Sequence, residues 1–261
     1  MTEQTPDGRV EPPEDSPPGE SGPIESLTAG AGAEQFAAGL RMMREATLSD
    51  RQLASQRAGV MIRRAIEAFT GTAASAAELE EATDHLERVV ALFNRSPEQR
   101  QFEGYAEASM LGRDRGFLDW SPVLGLANPL APPLRVDVEG DVVVAVGRFG
   151  AAYEGPPGCV HGGFLAAAFD DLLGMTQSLS GVAGMTGTLT VRYRQPTPLY
   201  TDLRFEGRLV GVKGRKVLTH GTVSASGGLT AEAEGLFISV SPEKFGALTE
   251  NRAKQRTATG P

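Results

Sequence analysis

Residues 159–179 read Cys-Val-His-Gly-Gly-Phe-Leu-Ala-Ala-Ala-Phe-Asp-Asp-Leu-Leu-Gly-Met-Thr-Gln-Ser-Leu. Phe164, Ala168, Leu172, Met175 and Leu179 recur at helical spacing in one apolar stripe, which predicts an amphipathic helix of about five turns buried against something large. On the other face Gly163, Ala167, Asp170, Gly174 and Ser178 line up without a bulky group, so a second backbone or a ligand is expected to come close. An acid in such a row is costly to bury and must be paired, solvated or functional. Its neighbour Asp171 projects about 100° away around the helix.

On both sides of this helix the period changes to two. Leu134, Val136 and Val138 alternate with polar residues, Gly140-Asp141 makes a turn, and 142–149 returns as a strand. After the helix, strands are expected over 186–194, 203–210, 216–226 and 230–240, with turns at Lys213-Gly214 and Gly227-Gly228. An antiparallel sheet of this kind needs one face covered, and the long helix is the available cover. The expected class is α+β, a sheet wrapped around one helix over 134–243.

The preceding half differs in character. Residues 1–35 carry eight acids against the single base Arg9, so nearly all of the net charge of −8 belongs to this segment. It also holds six prolines and few large apolar residues, and is expected to be a disordered acidic tail. Residues 36–97 show helical periodicity twice, the first run compatible with one or two helices and closed by Thr70-Gly71, and the second spanning 76–94 with Leu79, Ala82, Leu86, Val89, Val90 and Phe93 as its stripe. The pair suggests a helical hairpin. Residues 98–133 form a Gly/Pro-rich connector, with a short helix near 105–111 and the lone Trp120 as a packed plug or a pocket wall. Residues 244–261 are a polar tail.

Several functions are disfavoured by these totals. Arginines cluster at 41–64, which raises a DNA-binding helical pair, but across 36–100 nine arginines meet nine acids, so nucleic acid is not the expected partner. No apolar run is long enough for a membrane helix and no secretory signal pattern opens the chain, so the expected location is the cytoplasm. The single Cys159 excludes an internal disulfide framework and fits a reducing compartment. Besides His161 only His85 and His220 are present, with no carboxylate at ligand spacing, so no metal is expected.

The chemistry concentrates at the helix. Its start carries His161-Gly162-Gly163 after Gly155-Pro-Pro-Gly158, where free backbone N–H groups and the helix dipole favour an anion or a developing oxyanion, although a plain tight turn would use the same glycines. His161 is a structural or polarising group, and Cys159 beside it is a small thiol rather than a nucleophile. Asp170 could activate a water or attack a carbonyl. Gly163 and Asp170 are seven residues apart, about 10 Å along a helix, too far for both to touch one reacting carbon. They must therefore meet across a twofold axis between two chains.

His161-Gly162-Gly163 with an acid nine residues on, then Met185-Thr186-Gly-Thr-Leu-Thr-Val-Arg192-Tyr-Arg194-Gln-Pro196 and Val212-Lys-Gly-Arg215-Lys216, resembles the hotdog-fold acyl-CoA thioesterases of the PaaI type over roughly 120–243. The resemblance implies a hotdog fold with an added N-terminal helical extension, and a homodimer with sites at the subunit interface that can build into a dimer of dimers. It also implies hydrolysis of an acyl-CoA with no separate cofactor, coenzyme A being part of the substrate. Asp170 would be the base or nucleophile, the Gly163 N–H would polarise the thioester carbonyl, and Thr186 would position the carboxylate or water. Gly162, Arg192, Arg194, Arg215 and Lys216 would contact substrate, the four bases through the phosphates of coenzyme A. The competing reading is a non-catalytic acyl-CoA-binding or regulatory hotdog protein; a hydratase on the same fold lacks a second acid-base motif.

Overall fold

The computed structural model describes residues 30–96, 116–182 and 184–241. The short helix expected near 105–111 and the tail from 244 lie outside the described residues. Three helices come first: α1 (Gly30–Glu45), α2 (Asp50–Thr70) and α3 (Ala76–Phe93). Ser49 and Ser75 start α2 and α3 as capping boxes with Gln52 and Glu78, and Gly71 closes α2. The start of α1 at Gly30 falls inside the segment expected to be a disordered tail. Leu40, 2% exposed, gives α1 the apolar anchor that its upstream composition lacks.

A short helix α4 (Gly116–Trp120) opens the sheet domain, followed by β1 (Arg135–Glu139), β2 (Val142–Gly147), the long helix α5 (Gly162–Gln177), β3 (Gly184–Tyr193), β4 (Leu203–Lys213), β5 (Lys216–Ala225) and β6 (Gly228–Ser239). The strands form one antiparallel six-stranded sheet in the order β1-β2-β4-β5-β6-β3. This is the hotdog arrangement, with the sheet curled around α5. The turns fall at Gly140, Gly214 and Gly227, each with positive φ, as the sequence indicated.

Alternation along β4, β5 and β6 points every second residue at α5, with Phe205, Val217, Val223, Ala231 and Phe237 fully enclosed. Small residues fall where the helix comes nearest. A Cβ at Gly207 would collide with Thr176 Oγ1, and one at its cross-strand partner Gly221 would lie 3.0 Å from Leu173 Cδ2. Phe169 and Phe205 stack edge to face at 5.6 Å across this contact. Each such enclosed side chain contributes about 1.5–3 kcal/mol of burial.

The buried stripe of α5 is broader than its sequence suggested: Leu165, Phe169 and Leu173 lie at its centre beside Ala168, Leu172 and Met175. Phe164, expected in the core, is instead 41% exposed and packs edge to face on Tyr153 at 4.9 Å. Ala168, Leu172, Met175 and Leu179 are buried as expected, and Leu165, Phe169 and Leu173 widen the stripe on one side.

α1 seats Leu40 in the core of this domain with Phe36 and Met43 packed against it, and both α1 and α2 add polar contacts. Arg44 reaches the Val136 carbonyl at 3.1 Å and Asp137 at 2.9 Å. From α2, Gln56 donates to the buried Asp119 at 2.7 Å, and Arg63 donates to the carbonyls of Asn128 and Leu126 at 2.6 and 2.7 Å. Glu67 accepts from Tyr200 Oη at 2.7 Å and the Ala151 N–H at 3.2 Å, and the tyrosine bond holds its carboxyl below the ordinary glutamate value. α3 does not fold back on α2 as the expected hairpin; every residue from 75 to 96 is exposed. No helix among the described residues is long and apolar enough to cross a membrane.

Candidate active site

His161 is the N-cap of α5, and its Nδ1 accepts a hydrogen bond from the Gly163 N–H at 3.0 Å. Nδ1 is therefore an acceptor, which places the hydrogen of a neutral imidazole on Nε2. The N–H that sequence assigned to a substrate oxygen is thus held by the imidazole, and an incoming oxyanion has to replace that ring as its acceptor. Gly162 lies beneath Tyr193 of β3, whose hydroxyl donates to the Gly162 carbonyl at 2.8 Å. A Cβ at Gly162 would lie 2.9 Å from that hydroxyl, so the residue is small because the tyrosine seals the helix start.

Two turns further on, Asp170 is half-buried on the small-residue face, and Thr186 Oγ donates to its Oδ1 at 2.8 Å. Among the described residues Thr186 is its one hydrogen-bond partner, which leaves Oδ2 for a water or a carbonyl carbon. The position of Thr186 has a structural cause. Thr186 pairs with Phe237 and Thr188 with Leu236, so Gly187 is an extra residue, and the resulting bulge re-aims the strand beside the carboxylate.

Asp171 has a different environment. Ser121 Oγ donates to its Oδ2 at 2.5 Å and accepts from the Val123 and Leu124 N–H groups, both at 3.1 Å. Burial pushes this carboxyl up to about 6; the serine bond opposes that rise and the adjacent Asp170 charge adds to it. Sequence reasoning left Asp171 aside, and nothing in the Trp-Ser-Pro context of Ser121 links it to a residue fifty positions on. Tyr193 was equally unassigned, although it lies within the strand that carries the arginines.

The four bases fall at opposite ends of the sheet. Arg192 and Arg194, at the end of β3 near Gly162, are ion-paired to Glu234 and Glu232 of β6, the first at 2.7 Å. Arg215 and Lys216 lie at the β4–β5 turn, near the start of β3 and Thr186, where Arg215 Nη2 donates to the Ser239 carbonyl at 2.9 Å. Within one chain, then, the oxyanion-type N–H group and one pair of bases share one end, and the carboxylate and the other pair share the other. β3 forms the edge of the sheet between them, and most of its residues are exposed.

No protein-family model matches the chain. It is similar to the acyl-coenzyme A thioesterase THEM4 of Mus musculus, 35% identical over 103 residues that make up 39% of this chain and 44% of that protein. The corresponding protein of Bos taurus is 36% identical over 97 residues, 36% of this chain and 40% of the relative. The chain thus spans less than half the length of these curated relatives. The crystal structure of a thioesterase superfamily protein superposes with a TM-score of 0.63 at 32% identity, covering 70% of this chain and 94% of that one.

Proposed function

Because the chain belongs to the thioesterase superfamily, we propose that it hydrolyses an acyl-CoA to coenzyme A and a carboxylic acid, at sites shared between two copies. The observation that carries this reading is the Thr186–Asp170 pair. It is a carboxylate with one oxygen oriented by a hydroxyl and the other open on a face of small residues.

Gly163 lies about 10 Å from Asp170 along the helix, so the oxyanion donor for each carboxylate comes from Gly163 of the partner subunit. Antiparallel pairing of two β3 edges brings the two ends together, extends the sheet and satisfies an exposed edge of ten residues. The same twofold axis brings Arg215 and Lys216 of one chain toward Arg192 and Arg194 of the partner subunit, a basic pair at each site for the phosphates of coenzyme A. Asp170 either takes a proton from the attacking water or attacks the carbonyl itself to form an anhydride that water then opens. In both routes the negative charge on the carbonyl oxygen falls on the Gly163 N–H and displaces the His161 cap. The thiolate of coenzyme A leaves; in the first route it takes up the proton held by Asp170, and in the second it takes up a proton of the water that opens the anhydride. Water is the co-reactant and no cofactor is required; a reducing, cytoplasmic setting suits both the free thiol product and the lone Cys159.

The test is thiol release from a panel of acyl-CoAs by wild type and Asp170→Asn. The variant is expected to lose about 10²–10⁴-fold in kcat. Equal rates remove Asp170 from the reaction, tight binding of acyl-CoA without turnover by wild type turns the protein into a binding module, and a fully active monomer overturns the shared site.

A further inference from the structure

α2 anchors to the sheet domain through Gln56, Arg63 and Glu67 and through the close approach of Gly59, whose Cβ would collide with the Ala127 carbonyl, and Ile62 and Ile66 are half-buried beside them. A second stripe about 100° around the helix, Leu53, Arg57, Val60, Met61 and Arg64, is exposed, with Met61 57% accessible. α3 has the complementary character. Its stripe of Leu79, Leu86, Val90 and Phe93 is exposed along its whole length, Leu86 at 58%, and its other faces carry Glu78, Glu80, Glu81, Asp84 and Glu87 against His85 and Arg88.

Every residue of α3 is exposed, and a helix of 18 residues on its own is marginal in water, so α3 needs a surface. Its acidic faces oppose an anionic lipid surface. The outer face of α2 supplies both apolar groups of matching length and the arginines Arg57 and Arg64, whose stems lie along apolar surface while their charges reach outward.

We propose that α2 and α3 form a reciprocal twofold interface between two copies of this chain, the acidic apolar α3 of each lying antiparallel along the outer, basic apolar face of α2 of the other. Each helix ends in its own cap, Gly71 on α2 and Ser75 on α3, and the short link between them serves as the hinge of such an exchange. α3 is about 27 Å long and a helix contact is about 10 Å wide. Four such faces cover about 1,100 Å², enough to meet the roughly 1,000 Å² that a specific interface requires. This contact is separate from the β3 edge and does not depend on the chain being an enzyme.

The experiment is thiol cross-linking of the full chain in a Cys159→Ser background. In an antiparallel pair Val60 and Leu86 face each other, and both are exposed, so Val60→Cys and Leu86→Cys retain the fold, as circular dichroism will check. An affinity-tagged Val60→Cys chain is mixed with an untagged Leu86→Cys chain and oxidised mildly. The expected product is a tagged–untagged disulfide dimer joined at these two positions by mass spectrometry, and the double variant is expected to give a dimer closed by two such bonds. A bond within one chain at monomer mass shows that α3 closes on its own α2 and overturns the proposal. Links that join like positions, or no link at all, overturn it as well.

Discussion

Asp171→Asn separates the electrostatics of α5 from its chemistry. The wild-type carboxyl titrates at about 6 in the folded chain against an ordinary 3.8. Between these values the folded state holds a proton that the unfolded state has released, so this group makes stability fall as pH rises through the window. The slope is about 1.4 kcal/mol per pH unit and the whole window amounts to about 3 kcal/mol. Below the window the neutral acid and asparagine are alike in shape and charge; above it only the acid pays for a buried charge. The stability of the variant minus that of wild type should therefore climb by about 3 kcal/mol between pH 4 and pH 7 and then level off. The quality of the new hydrogen bond to Ser121 shifts the whole curve without changing this climb. Acids held below their ordinary values, such as Glu67 and Asp137, give the opposite slope in both proteins and cancel in the difference. Urea unfolding at half-unit pH steps measures it. A flat difference curve would refute the burial argument.

Gly163→Pro removes the proposed oxyanion donor together with the cap hydrogen bond that the same N–H gives to His161 Nδ1. It is expected to lower kcat about 10²–10³-fold and to cost about 0.5–2 kcal/mol of stability, and undiminished kcat in the folded variant would exclude that N–H from the reaction. Gly59→Ala forces a methyl group into the Ala127 backbone and should cost about 1–3 kcal/mol, read as a drop in Tm; an unchanged Tm would mean that α2 does not dock as described.

The sheet and its helix were legible because each signal was local: a period of two between glycine turns, a period of 3.6 at 162–177, and a covering face that only one helix could supply. The placement of Asp170 on a face of small residues was legible for the same reason, since that row lies within one helix. Contacts set by tertiary approach were not. Phe164 and Leu165 satisfy the apolar pattern equally, and only the position of the sheet decides that Leu165 is enclosed and Phe164 meets Tyr153. The hairpin expected of α2 and α3 followed from two apolar stripes joined by a short link. Spacing alone could not show that α2 would anchor to the sheet domain through Gln56, Arg63 and Glu67 and leave Leu53, Val60 and Met61 exposed.

The neighbouring acids of α5 show why a shifted pKa does not by itself locate the reaction. Asp171 has the raised value that marks many catalytic groups. Yet its Oδ2 is committed to Ser121, and that serine in turn organises the amides of Val123 and Leu124, which are buried in the core. Among the described residues Asp170, about 100° around the helix, hydrogen-bonds only to the Thr186 hydroxyl, and it lies on the face of small residues. One carboxyl therefore ties the connector to the helix, and the other is the proposed reactive group. If so, the two substitutions dissociate: Asp170→Asn abolishes turnover and keeps the falling limb of stability between pH 4 and 6, whereas Asp171→Asn removes that limb and keeps turnover. A protein in which both substitutions abolished turnover, with Asp171→Asn still folded, would require the two acids to act as one coupled pair.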